Sequence, residues 1–248
     1  MKFRRSTASL LALAWLAAAV ANAPSSAAES HDHGAHGAAS PTTIGASIAP
    51  ASGLKVGEPA TFTLSLVAKD GQPITLADLQ VAHTEKVHLL IVDPSLSDYH
   101  HAHPKPGPTP GTYTFPLTPG KAGEYKVFAD LLPVATNQQE YAVTGFTVAG
   151  TPTAADKTVN RTTTVAGYRF ELKFAEDPPA AGHPHKAWLT VTGPDGKPFA
   201  QLEPIMGAFA HIVGFSEDRA EIAHIHPLGK EPKTAAGASA REMWRPPL

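Results

Sequence analysis

Val87-His88-Leu89-Leu90-Ile91-Val92, followed after Asp93-Pro94-Ser95-Leu96-Ser97-Asp98 by Tyr99-His100-His101-Ala102-His103-Pro104, is the stretch that decides how this chain is read. The first run is short, apolar and rich in branched side chains, and a Pro- and Ser-containing turn bounds it, which predicts a strand. If Asp93 and Asp98 close a hairpin, antiparallel pairing puts His88 opposite His103. His101 and His103 are two apart on a strand, so they share a face with Cα atoms about 6.5 to 7 Å apart. Three imidazoles then converge on one side, and His100 points to the other.

Outward from this hairpin the pattern repeats. Short stretches of Val, Leu, Ile, Thr, Phe and Tyr alternate with Gly, Pro and Asp, and no sustained helical period appears. Strands are predicted at Ala60 to Ala68, Val87 to Val92, Asp98 to His103, Thr112 to Leu117, Gly123 to Leu131 and Tyr141 to Val148. Asp70-Gly71-Gln72-Pro73 supplies a turn. This number and spacing suit an all-β fold, a small immunoglobulin-like β-sandwich covering 44–149.

A second copy is expected at 159–229, after a linker over 150–158. Its strands are predicted at Tyr168 to Ala175, Lys186 to Thr192, Phe209 to Phe215 and Ala220 to His224, with a turn at Pro194 to Pro198. His88, His101 and His103 recur as His211, His224 and His226 at a constant offset of 123 residues. The copy reads as truncated at its C-terminus, because the 230–248 tail has no strand pattern. An incomplete sandwich exposes strand edges and a half-covered core, so a weak second repeat is expected, completed by the first repeat or by another molecule.

The N-terminus sets the compartment. Lys2, Arg4 and Arg5 precede an apolar run from Ser9 to Val20 that is too short for a comfortable membrane span, which reads as a signal peptide over 1–28 cleaved after Ala28. Residues 29–43 form a disordered leader in which His31, His33 and His36 offer loose metal ligands or a mere solubilising tail. The chain is therefore expected in the periplasm. With no cysteine to acylate, no membrane anchor is expected after cleavage.

Of the 20 basic residues the signal holds three, so the exported part is acidic against 22 Asp and Glu, and nucleic acid is not expected as a partner. Zero cysteines exclude a disulfide framework and any thiolate-held metal: blue copper, iron–sulfur and thiolate zinc.

Three neutral imidazoles suit copper(II), zinc or nickel, and copper binds tightest in the divalent series, so copper is expected first and zinc as the alternative. His83, five residues before His88, is the candidate fourth ligand of the first set. The second set has only Met206 or water for that place. His183 and His185 form another His-x-His pair, in a Pro- and Gly-rich segment read as a solvated loop. The competing view of all six repeated histidines is architectural, with imidazoles bonding loop carbonyls and duplicated along with the domain. Against it stands the use of three histidines with no acidic partner among them.

At these residues the chain resembles a family of exported bacterial proteins associated with copper and heavy-metal resistance. That family has two repeats and a His-Leu-x-x-Val strand followed by Leu-Ser-x-Tyr/Phe-x-His-x-His-Pro. The matching residues are His88 to Val92, Leu96 to Pro104 and the strand Gly123 to Asp130, with Gly207 to Val213 and His224 to Pro227 in the second repeat. The resemblance covers about Leu54 to Pro232 and departs in the tail. It implies an immunoglobulin-like fold and periplasmic metal handling.

The expectation is a binding protein that buffers, sequesters or delivers copper. A metal-independent module for a periplasmic protein partner is the alternative. No paired acid and base, nucleophile elbow or phosphate loop accompanies the histidines, so no enzymatic activity is expected.

Overall fold

All six residues of the strand Val87–Val92 are buried, so something covers each of its faces, and the architecture follows from what does. The structure, a computed structural model, describes residues 42–82, 85–180, 185–199, 201–203 and 210–225, without the side chains of 224 and 225. The expected signal peptide, all but the last two residues of the leader, His83, Met206, His183, His226 and the tail lie outside the described residues.

In chain order the strands are β1 (Ile44–Ala49), β2 (Leu54–Lys55), β3 (Ala60–Ala68), β4 (Val87–Val92), β5 (Tyr99–Ala102), β6 (Lys105–Pro106) and β7 (Thr112–Leu117). Then come β8 (Gly123–Leu131), β9 (Glu140–Ala149), β10 (Thr162–Val165), β11 (Tyr168–Phe174), β12 (Ala187–Thr192), β13 (Ile212–Phe215) and β14 (Ile222–Ile225). A single 3-10 turn, Leu76–Asp78, is the only helical element among the described residues. The protein is all-β.

In the first half, one sheet runs β1-β3-β7-β6 and the other β2-β9-β8-β4-β5. Both contribute to one buried cluster: Phe62, Leu64 and Leu66 from β3 and Tyr113 and Phe115 from β7 meet Leu89 and Ile91 from β4, Tyr125 and Val127 from β8 and Phe146 from β9. Alternation along each strand sends these residues inward and leaves the next ones out. Phe62 lies 5.4 Å from Phe115 and 4.6 Å from Phe146, and Tyr125 stacks on Phe146 at 4.9 Å. At the entry to β1, the Thr43 backbone N–H and hydroxyl both donate to the Glu140 carboxylate. Thr43 therefore belongs to the folded part rather than to the leader.

The other face of β4 turns Leu90 and Val92 outward, beside Phe128 of β8. Here the second half takes part. The β13–β14 hairpin lays Val213, Phe215 and Ile222 over those three residues. Fully burying a side chain of this size stabilises by about 1.5 to 3 kcal/mol, and these half-buried ones contribute a share of that.

Polar contacts pin the same hairpin. Lys126 Nζ donates to the Arg219 carbonyl at 2.8 Å, and Arg219 Nη1 donates to the Glu124 carbonyl at 2.6 Å. The unbroken apolar run of β4 is thus a strand buried on both faces.

The remaining sheet, β10-β11-β12, has a thin core in which Ala187 and Val191 are the buried apolar residues among those described. Leu172, Phe174, Ile212 and Ala223 pack around Ala187 but stay partly exposed.

Candidate metal centre

The β4–β5 turn is built by Asp93. Its carboxylate, fully buried, accepts from the backbone N–H groups of Ser95, Ser97 and Asp98, each at 2.9 Å, and from the Ser95 hydroxyl. Burial pushes this carboxyl up, but the hydrogen bonds from Ser95, Asp98 and Ser97 outweigh it and hold Asp93 below the ordinary carboxylate value. Asp98 follows the same rule: burial raises it, while the Tyr125 hydroxyl, the Gly120 N–H and the His100 ring bring it down overall. Both acids belong to the turn and its support.

With the turn fixed, the register follows. Asp93 N–H donates to the Asp98 carbonyl at 3.2 Å, and the ladder pairs Val92 with Tyr99, Leu90 with His101 and Leu89 with Ala102. One step further along the same register stands His88, level with His103. His88 is fully buried, and His101 and His103 are half-buried.

The three rings converge. His88 Nδ1 is 3.2 Å from His101 Nε2 and 3.1 Å from His103 Nε2. One ligand nitrogen from each ring lies within 4.8 Å of the other two. The His88 Nε2 is 2.7 Å from the Ala82 carbonyl oxygen, which can only accept. Nε2 therefore carries the ring proton and Nδ1 presents its lone pair to the cluster. A ring N–H anchored on a backbone carbonyl is the arrangement that orients imidazole ligands in metal sites.

The distances suit an ion. Metal–nitrogen bonds of about 2.0 to 2.1 Å put neighbouring ligand nitrogens roughly 2.9 to 3.4 Å apart, at square or tetrahedral angles. Without an ion the same distances are those of a hydrogen bond, in which a His101 or His103 Nε2–H donates to the His88 Nδ1 lone pair; with an ion, all three nitrogens turn their lone pairs to it. His100 takes no part in the cluster: its ring faces Asp98, with Nε2 3.1 Å from Oδ1.

One member of the neighbourhood escaped the sequence reading. In the β4–β8 ladder His88 is directly paired with Asp130, and the Asp130 side chain is buried. Gln139 Nε2 donates to Asp130 Oδ1 at 2.7 Å and reaches the Tyr141 hydroxyl at 3.3 Å. Burial drives the Tyr141 phenol far above its ordinary value, and the Asp130 charge adds to the effect. The expectation that no acidic residue accompanies the histidines is therefore corrected. The strand carrying Asp130 was visible as Gly123 to Leu131, but its register against β4 was not.

The second half brings a histidine too. His211, just ahead of β13, has its ring centroid 6.2 Å from that of His101. The ladder pairs Ile212 with Ile225 and Val213 with His224, and Ser216 N–H closes the hairpin on the Glu221 carbonyl at 3.1 Å. The His224 side chain and His226 lie outside the described residues, as does His83.

The solvated-loop reading of His185 does not hold. Its side chain is buried, Nε2 donates to the Ala180 carbonyl at 2.6 Å, and Nδ1 lies 3.8 Å from a Glu176 carboxylate oxygen. It secures its own segment.

Fold and site define an all-β protein bearing three convergent imidazoles on the outer face of a sheet. A family model described as a domain of unknown function, DUF8832, matches residues 42–150 and 163–243. The chain belongs to that family. No curated protein matches it.

Proposed function

We propose that this is an exported, periplasmic, immunoglobulin-like two-repeat protein that binds copper(II), with zinc as the alternative ion, to buffer, sequester or deliver it. The observation that carries the reading is the His88 ring: Nδ1 within 3.2 Å of two other imidazole nitrogens while Nε2 is committed to the Ala82 carbonyl. His88, His101 and His103 hold the ion. His211, His224 and His226, repeated at the same spacing, are read as the counterpart set of the second half.

Two further observations support the reading. The buried Asp130 is paired with His88 across the β4–β8 ladder, and a carboxylate at that position favours a cation nearby. The family model matches two stretches, 42–150 and 163–243, separated near the linker read from the sequence, which bears on the two-part organisation and not on the metal. The ligand set is all nitrogen and neutral, which suits copper(II) or zinc better than hard cations such as calcium or magnesium. Binding rather than catalysis is the function proposed.

The test is titration of the mature chain from Glu29, with His31, His33 and His36 replaced by Asn, using copper(II) and zinc in parallel. A variant in which His88, His101 and His103 are also replaced is run beside it. Tight binding lost in that variant supports the reading. Equal weak binding by both chains overturns it and leaves the histidines as architecture.

A further inference from the structure

We propose that His211, from the second half, ligates the same ion as His88, His101 and His103, so that the centre is assembled between the two halves rather than within the first. This rests on the metal-binding reading above and extends it.

The argument begins with ring spacing. Within the triad the ring centroids are 5.5, 4.7 and 5.0 Å apart. An imidazole bound at about 2.0 Å puts its ring centre roughly 3.1 Å from the ion. Two rings on one ion are then about 4.5 to 5 Å apart at square or tetrahedral angles, and at most about 6.3 Å when opposite each other. The triad spacings fall in the first range apart from the His88–His101 pair, which is somewhat wider. The 6.2 Å between His101 and His211 fits the last, an opposed pair about a tetragonal ion. His211 stands outside the group of mutually close nitrogens, so its ligation requires the ring to turn towards the ion when the metal binds.

The position of His211 is also built rather than incidental. It immediately precedes β13, whose hairpin is seated on the triad's own face of the sheet by Val213, Phe215 and Ile222 against Leu90, Val92 and Phe128. Tyr99, next to the triad strand's histidines, packs on Phe215 at 5.8 Å. The Lys126 and Arg219 hydrogen bonds fix the far end of the same hairpin. A three-imidazole set leaves copper(II) or zinc short of its usual four ligands, and this docking delivers a fourth imidazole from a defined direction. The two histidine sets then share an ion instead of duplicating a site.

The experiment uses the mature chain with the leader histidines replaced, loaded with less than one equivalent of copper(II). Affinity is measured together with the nitrogen hyperfine pattern in electron paramagnetic resonance. Wild type, His101→Ala and His211→Gln are compared. The expected result is loss of the signal in His101→Ala, and in His211→Gln at least ten-fold weaker binding with one nitrogen fewer in the pattern.

Wild-type affinity and an unchanged pattern in His211→Gln, with binding still abolished by His101→Ala, overturns the shared site and leaves the triad reading intact. Weaker binding with an unchanged nitrogen count overturns it equally, since His211 then acts only through packing. Absence of copper binding in the wild type overturns the triad reading itself, and the shared site with it.

Discussion

His88 and Asp130 face each other across the pairing of β4 with β8, and both side chains are buried. A carboxyl beside an imidazole cluster sets the local field, since charges a few ångströms apart in a protein interior interact far more strongly than in water. Asp130→Asn keeps the shape and a partner for Gln139 but removes the charge. Affinity for copper(II) or zinc is expected to fall about ten-fold, the lower end of the effect seen for groups supporting metal ligands. Calorimetric titration of the two proteins checks this, and unchanged affinity would remove Asp130 from the site.

His88 and His101 differ in burial, and their loss should differ in kind. His88→Ala strips the Ala82 carbonyl of its donor and leaves a gap in a fully buried position. It is expected to cost about 1 to 3 kcal/mol of stability even without metal. His101→Ala, at a half-buried position, should abolish metal binding at little cost to the metal-free fold. Urea unfolding of both variants with a chelator present separates the two effects.

The acids of the β4–β5 turn predict how stability depends on pH. Asp93 and Asp98 are both held below their ordinary value of 3.8 in the folded chain. A depressed carboxyl adds stability above the unfolded value and loses it as pH falls through the folded one. Their contribution is therefore intact at neutral pH and fades below about pH 3.8. Asp93→Asn should destabilise by about 1 to 3 kcal/mol at pH 7, because one of the two accepting oxygens becomes an NH2 group and its turn donors lose their acceptor. The gap between variant and wild type should narrow in acid, as thermal melts from pH 7 down to pH 3 would show.

The hairpin of the second half has its own signature. Phe215 packs against Phe128 and Tyr99, each with ring centroids 5.8 Å away. Phe215→Ala should lower hydrogen-exchange protection in β13 and β14 while β3, β7 and β9 stay protected, because the main core does not depend on that contact. A uniform loss of protection would mean instead that the two halves unfold as one unit.

Much of this was legible in the residues. β3, β4, β7 and β8 have the bounds read from alternation and punctuation, and β5, β9, β11 and β12 differ from the reading only at their ends. Four strands, β1, β2, β6 and β10, were missed, and two of them show why. Ile44–Ala49 is mostly small residues and Lys105–Pro106 is two residues long. They are strands because β3 and β7 offer them a ladder, and local composition carries no sign of that.

The sequence by itself determined the convergence of His88, His101 and His103. Side-chain alternation and a tight hairpin are local rules, and the three residues obey both within one short stretch. Only the tertiary structure decided what stands around them: Asp130 across the next ladder, the Ala82 carbonyl that sets the His88 tautomer, and His211 on a hairpin from the other half. Those neighbours are far apart in the chain or depend on strand register. They are chosen by burial of both faces of β4, a cooperative property of the packed sheets rather than of any segment alone.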